Sequence, residues 1–339
     1  MNQPLVSIIT SCYNHEKYLD DYFEGLLAQT YPNIELIFFD DGSTDSSWQK
    51  VCNYEAVLKK KFPKIVLEQQ QNVGFFKELA GALKLSSGKY VAILESDDYL
   101  LSQKTEKNVK FLESHPDFGM VHSDIHHIYN SHIVENYWQK TQKNIPQGNV
   151  FEELLTQSCF IRTCAAFYRA DLFKKYVNFN EFETRGYLTG DTATWLSLAK
   201  HTQFGYINEA LACYRIVPGS LSRPGNVKTL YEFWLNSNQI TKDFVCQYGI
   251  SPQARMKMEK RYHEASLFFS QKLFLKKELS DSCDWLSQND PIEYKKISMK
   301  LIRMVSHNQI ALNALRFFID LKVFASSLMG QRIDLRDSF

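Results

Sequence analysis

The stretch Ile34-Glu35-Leu36-Ile37-Phe38-Phe39-Asp40-Asp41-Gly42-Ser43-Thr44-Asp45 decides the fold: an apolar run of strand length stops at two adjacent carboxylates and a turn glycine. A second run ends the same way, with Tyr90-Val91-Ala92-Ile93-Leu94 entering Glu95-Ser96-Asp97-Asp98. Continuous apolar runs are how parallel strands buried on both faces read, and in an open α/β sheet ligands bind at the carboxyl ends of the strands. Such ends side by side bring a group of carboxylates to one rim. That much like charge calls for a metal ion, a cationic partner or the donor groups of a ligand.

Outward from these strands the first half of the chain alternates. A strand over residues 5–10 precedes a helix in which Tyr18, Leu19, Tyr22, Phe23, Leu26 and Leu27 recur at helical spacing. After the strand 34–40 come a helix from about residue 43, a strand 65–69, a helix 76–85, the strand 90–94, a helix 103–114 and a strand 120–125. Helices between short apolar runs are βαβ units, so a mostly parallel sheet flanked by helices is expected. Residues 129–148 dissolve into polar and aromatic types and are expected to be a loop. A strand 165–168, helices 170–176 and 192–201 and a strand 210–215 follow. Beyond Pro218-Gly219 and Arg223-Pro224-Gly225 only helices are read, which places a boundary near residue 225, between an α/β domain at 1–225 and a helical C-terminal region at 226–339.

With 339 residues, 44% apolar, 23% charged and a formal net charge of +1, the chain is long enough for a full core and lacks the basic bias of a nucleic-acid binder. No run approaches the roughly 20 uncharged apolar residues of a membrane span. The opening Met1-Asn2-Gln3-Pro4 has no basic segment leading into an apolar one, so no signal peptide is expected. The seven cysteines are odd in number and form no Cys-x-x-Cys pair, which points to reduced thiols and a cytoplasmic compartment. Cys12 is expected to serve packing.

Several motifs, taken in order, resemble the family-2 glycosyltransferases with the GT-A fold. Val6-Ser7-Ile8-Ile9-Thr10-Ser11-Cys12-Tyr13-Asn14 resembles their first strand and nucleotide loop, Asp40-Asp41-Gly42-Ser43 their second-strand motif, and Asn72-Val73-Gly74 the start of their third helix. Glu95-Ser96-Asp97-Asp98 is similar to their acidic metal motif, Gly190-Asp191 with Trp195-Leu196 to their catalytic-base segment, and Tyr214-Arg215 through Gly219-Ser220-Leu221-Ser222 to the segment that closes their site.

The resemblance implies an inverting, metal-dependent transferase of bacterial surface-polysaccharide type. It would move a hexosyl or N-acetylhexosaminyl group from a nucleotide-diphosphate sugar to a saccharide or lipid-linked acceptor. Ser11, Tyr13, Asn14, Asp41, Asn72, Glu95, Asp97 and Arg215 would then line the donor, and Asp98 with Asp97 would hold Mn²⁺ or Mg²⁺. Hard divalent cations prefer carboxylate oxygens, while the alternative for this motif is a solvated acidic turn. A carboxylate only accepts hydrogen bonds, so Asp41 would select a base offering N–H, which favours UDP first and otherwise a thymidine diphosphate. Asp191 would be the general base, or else the cap of the helix behind it; Glu181 and Glu183 are next in line. Arg215 would grip the diphosphate.

The chain departs from the family pattern at Val217, where many relatives carry a histidine, and at Leu79, where arginine is common; Lys77 is a candidate substitute. His122, His126, His127 and His132 are read as acceptor-facing or surface residues rather than a zinc site. Ile310, Leu315, Phe318, Ile319, Val323, Phe324 and Leu328 form an apolar helical face, and residues 291–339 carry eight Lys/Arg against four Asp/Glu. Such a face is expected to pack on its own domain, on a second copy, or on an anionic membrane surface. Two other functions remain open from sequence: a nucleotidyltransferase, and a sugar-nucleotide-binding protein without turnover.

Overall fold

The computed structural model describes residues 3–129, 132–141, 144–157 and 160–294. The chain forms two compact units, Met1–Phe151 with Phe160–Val217, and Glu152–Cys159 with Pro218–Phe339.

The first unit is built on a nine-stranded sheet. Its strands are β1 (Val6–Cys12), β2 (Ile34–Asp40), β3 (Lys64–Gln69), β4 (Tyr90–Ile93), β5 (Tyr99–Leu100), β6 (Phe118–Tyr129), β7 (His132–Val134), β8 (Phe167–Arg169) and β9 (Gln203–Ile216). They lie in the order β3-β2-β1-β4-β8-β6-β9-β5, with β7 paired to β6. The first four strands are mutually parallel, as their buried apolar runs require. β8 runs antiparallel to both β4 and β6, while β6 and β9 are parallel again. Glu35, near the start of β2, takes hydrogen bonds from Ser7, Lys64, Ser87 and Gly88. Burial alone would raise its carboxyl, and these donors hold it down to about 2.

Three expectations change. Residues 129–148 are not a plain loop, since β7 and a helix Tyr137–Lys140 occupy part of them. Buried Asp124 organises that helix by accepting the N–H groups of Trp138 at 2.9 Å and Gln139 at 3.3 Å. The last strand is far longer than its apolar core suggested, running Gln203–Ile216 because β6 pairs along it. The second helix begins at Ser47 rather than near Ser43, since Asp45 accepts the Ser47 N–H at 2.9 Å and turns the chain first.

In the second unit, helices Val227–Tyr248, Pro252–Leu273 and Lys276–Asn289 follow one another. Asn226 caps the first through the Thr229 N–H at 2.8 Å, and Ser251 the next through the Ala254 N–H at 3.2 Å. Leu267, Leu279, Cys283 and Leu286 form a core with Phe274 and Trp285 against it. Among the described residues no helix is long and apolar enough to cross a membrane. The apolar face from Ile310 to Leu328 lies outside the described residues.

Candidate active site

The carboxyl ends of β1 and β2 are joined by short polar bonds. Asp41, just past β2, donates its N–H to the Cys12 carbonyl at 2.8 Å. Its buried carboxylate accepts the N–H groups of Val73 at 2.8 Å and Gly74 at 3.1 Å and the Gln70 amide at 3.2 Å. The loops approach closely: a Cβ on Gly42, whose φ is +79°, would lie 3.0 Å from the Asn72 nitrogen, so glycine is needed there. Of the four acceptor positions of a carboxylate, these bonds leave one on Asp41 Oδ2 for a ligand N–H.

Other expected nucleotide residues divide. Tyr13 is 48% exposed, its ring open to a flanking base. Asn14, at φ +57°, has its side-chain oxygen on the Thr44 N–H at 2.8 Å and its own N–H on the Ser43 hydroxyl at 2.9 Å, so its side chain ties two loops together. Ser11 donates to Glu78. Asn72 is exposed beside Gly42.

Past β4 the acidic motif is folded inward. Asp98 is 2% exposed and accepts the Arg215 N–H at 2.7 Å and the Cys164 thiol. Arg215, at the end of β9, also donates through Nε to the Asp97 carbonyl at 2.9 Å, pairs with Asp21 at 2.5 Å and lies 5.0 Å over the Tyr18 ring. Its guanidinium is therefore held within the protein, which sequence alone did not reveal. Ser96 bonds to the Ser11 carbonyl at 3.1 Å and to the His15 ring at 2.7 Å, linking the nucleotide loop to the acidic motif.

Asp191 is the first residue of helix Asp191–Ala199, with Gly190 in the cap position. The cap role considered for Asp191 is thus not the one it plays. It lines a recess with Phe75, Leu79, Tyr168, Phe179, Thr194 and Trp195. Burial raises its carboxyl, and the Thr163 hydrogen bond and Arg162 charge pull it partly back. Glu95 is driven well above the carboxylate range by burial, then by the charges of Asp191, Asp98 and Asp97. Burial and Asp97 likewise drive Asp98 well up, and burial raises Asp97 against the opposing charges of His15 and Arg215.

This donor set is all hard oxygen, the chemistry that suits Mg²⁺ or Mn²⁺. Among the described residues no three carboxylate, histidine or cysteine side chains converge to enclose a cation. A site here would be completed by water and phosphate oxygens, as magnesium prefers. Among the described residues the Asp97 side chain takes no hydrogen bond from another residue, so it is the less committed carboxylate of the two.

The substitutes weighed from sequence fall elsewhere. Lys77 is largely exposed and pairs with Glu183 at 3.3 Å, while Glu181 pairs with Arg185 at 2.7 Å. Both glutamates are thus engaged in outer ion pairs. Leu79 is buried in the recess wall, and Val217 follows β9 half-buried. The histidines are not a surface group: His122 and His127 are buried, His122 against Phe160 and Tyr206 and His127 stacked 3.6 Å from Tyr137. His126 accepts the Asn136 N–H at 3.1 Å, and His132 is exposed. Sequence reasoning missed Glu78, His15, Thr163 and Cys164. Only Glu78 left a signal, as an acid three residues after Phe75 and four before Ala82 on the apolar helix face.

The sequence model of Glycosyl transferase family 2 matches residues 7–177, half of the chain. TuaG of Bacillus subtilis, named as a teichuronic acid biosynthesis glycosyltransferase, is 30% identical over 224 residues, covering 65% of this chain and 82% of that protein. WfaP of Escherichia coli, named as a UDP-Glc:alpha-D-GlcNAc-diphosphoundecaprenol beta-1,3-glucosyltransferase, is 36% identical over 118 residues, 34% of this chain and 43% of that one. The chain spans about a third of the length of other curated glycosyltransferases it matches. In fold it is similar to residues 1–349 of S. aureus TarS solved with UDP, at a TM-score of 0.57 and 17% identity, covering 97% of this chain and 93% of that one.

Proposed function

The chain belongs to glycosyl transferase family 2, and from that premise we propose that it is an inverting, metal-dependent transferase. It moves a hexosyl or N-acetylhexosaminyl group from a UDP-sugar to a hydroxyl of a saccharide or lipid-linked acceptor in polysaccharide synthesis. The observation that carries this reading is the position of Asp191, a carboxyl raised by burial at a helix start, whose charge is felt by Glu95 at the end of β4. A general base works best when its pKa is lifted toward the working pH. Burial raises both carboxyls, and the Asp191 charge adds to the rise at Glu95, so Asp191 lies in a setting that favours taking up a proton.

Asp191 accepts the proton of the acceptor hydroxyl as that oxygen forms its bond to the anomeric carbon. The bond from that carbon to the diphosphate oxygen breaks on the opposite side, which inverts the configuration and releases the nucleoside diphosphate. Asp41 accepts the base N–H, Tyr13 flanks the base, and Arg215 fixes Asp97 and Asp98. Asp97 and Asp98 would hold Mn²⁺ or Mg²⁺, which would supply positive charge against the leaving diphosphate. The names of TuaG and WfaP support a role in bacterial surface-polysaccharide assembly and a UDP-linked donor. We assign catalysis to residues 1–225 and place the protein in the cytoplasm, with residues 226–339 serving contact with a second copy or the membrane face.

The test is turnover of a panel of UDP-sugars with saccharide and lipid-linked acceptors, with and without Mn²⁺. Release of UDP that needs metal and acceptor is expected. Release of pyrophosphate, or binding without turnover for every donor and acceptor, overturns the reading.

A further inference from the structure

Glu78 is an acid on the wrong side of its helix. It sits on Phe75–Leu85, whose start is gripped by Asp41, and is only 3% exposed. One carboxyl oxygen takes the Ser11 hydroxyl, and the other is buried with no hydrogen-bond partner among the described residues. The helix packs on β1, β2 and the helix Phe179–Thr184. Facing groups from the end of β2 and the residue after it are Asp40 and Asp41, with Glu35 further back along the strand and paired to Lys64. β1 contributes Ser11 and Cys12, and the helix Phe179–Thr184 contributes Glu181 and Glu183, paired to Arg185 and Lys77.

Three carboxyls thus meet behind the nucleotide loop, and they are unequally supplied with donors. Asp41 has the Val73 and Gly74 N–H groups, and Asp40 has the Ser43 N–H at 2.9 Å and the Gln69 amide at 3.2 Å. Glu78 has a single hydroxyl. An ionised carboxylate in a dry site with one donor is costly, and two like charges beside it add to that cost. The proton of the group therefore belongs on Glu78.

We propose that Glu78 is a positioning residue of the donor site, keeping the Ser11 end of β1 and the Asp41-gripped turn together only while it carries a proton. This rests on the reading of that end as the site of a nucleoside diphosphate. On ionising, its unpartnered oxygen needs water and repels Asp40 and Asp41, so the start of the helix must shift to admit solvent. Burial, then the charges of Asp41 and Asp40, raises its carboxyl to about 8, which places the change just above neutrality. The folded-state value lies above the ordinary one, so the stabilisation is full at low pH and is lost as pH rises through about 8.

The experiment is calorimetric titration with UDP and Mn²⁺ from pH 6.5 to 9 on the full chain, Glu78→Gln and Glu78→Ala, with melting temperatures from the same preparations. Wild-type affinity is expected to fall about tenfold between pH 7 and 9. Glu78→Gln, which still accepts the Ser11 bond and cannot ionise, is expected to bind as tightly at pH 7 and to show a flat profile. Glu78→Ala is expected to bind more weakly at every pH, also with a flat profile. A Glu78→Gln profile that falls as steeply as wild type, or a flat wild-type profile, overturns the role of Glu78 alone. No UDP binding at any pH by normally folded wild type overturns the donor-site reading, and this inference with it.

Discussion

The backbone N–H of Arg215 donates to the carboxylate of Asp98 at 2.7 Å, joining the end of β9 to the acidic motif after β4. Asp98 therefore has a structural role beside the metal-binding one proposed for it. Asp98→Ala leaves that N–H unpaired and should cost about 1–3 kcal/mol of stability, whereas Asp98→Asn keeps an acceptor and should cost less. Asp97→Asn should leave the melting temperature unchanged. All three should lose Mn²⁺-dependent UDP binding, read by titration in metal and in chelator. Full metal-dependent binding by Asp97→Asn would remove that residue from the site.

Asp191→Asn separates chemistry from folding. Gly190 holds the cap position, so the helix does not need the Asp191 charge, and stability should stay within about 1 kcal/mol. Asparagine cannot accept the proton, so turnover should drop by about 10²- to 10⁴-fold with donor affinity preserved. Transfer rate, affinity and melting temperature measured together decide it; near-normal turnover would shift the base elsewhere.

Base choice should follow Asp41. Its remaining acceptor position suits the N–H of uracil and leaves cytosine without a donor on the ring nitrogen. UDP should bind about 10- to 100-fold more tightly than CDP, the scale of a hydrogen bond to a charged group. Equal affinities by calorimetry would end the assignment. Because Asp41 also grips Val73 and Gly74, Asp41→Ala should lose stability along with affinity.

His122 makes the first unit acid-sensitive. Burial pushes its imidazole down to about 3, so between that value and about 6.5 the unfolded chain binds a proton that the folded chain refuses. Stability should fall as pH drops through that window. Relative to His122→Leu, wild type should lose about 2 kcal/mol between pH 7.5 and 5, measured by denaturant unfolding. An identical pH dependence in both proteins would show that His122 is not the sensor.

The strands and their helices were legible because their signal is local: β2 appears from Ile34 to Asp40 as its apolar run reads, and helix Ala170–Tyr176 likewise. The acidic strand ends, Asp41, Glu95, Asp97 and Asp98, could be picked out because residue type and position after an apolar run suffice for that, whereas Asp191, at a helix start, was singled out by its resemblance to a family motif. Tertiary structure decided what each carboxyl does. Whether Asp98 is bonded, Arg215 is held or Glu78 keeps a proton depends on groups that arrive from far along the chain, such as Arg215 on Asp98 and Ser11 on Glu78. The long strand β9 and the helix Tyr137–Lys140 were hidden for the same reason, since the pairing with β6 and the Asp124 carboxylate that hold them are not neighbours in sequence. Periodicity is written residue by residue, whereas desolvation and charge depend on which distant groups share a space, and only the folded chain fixes that.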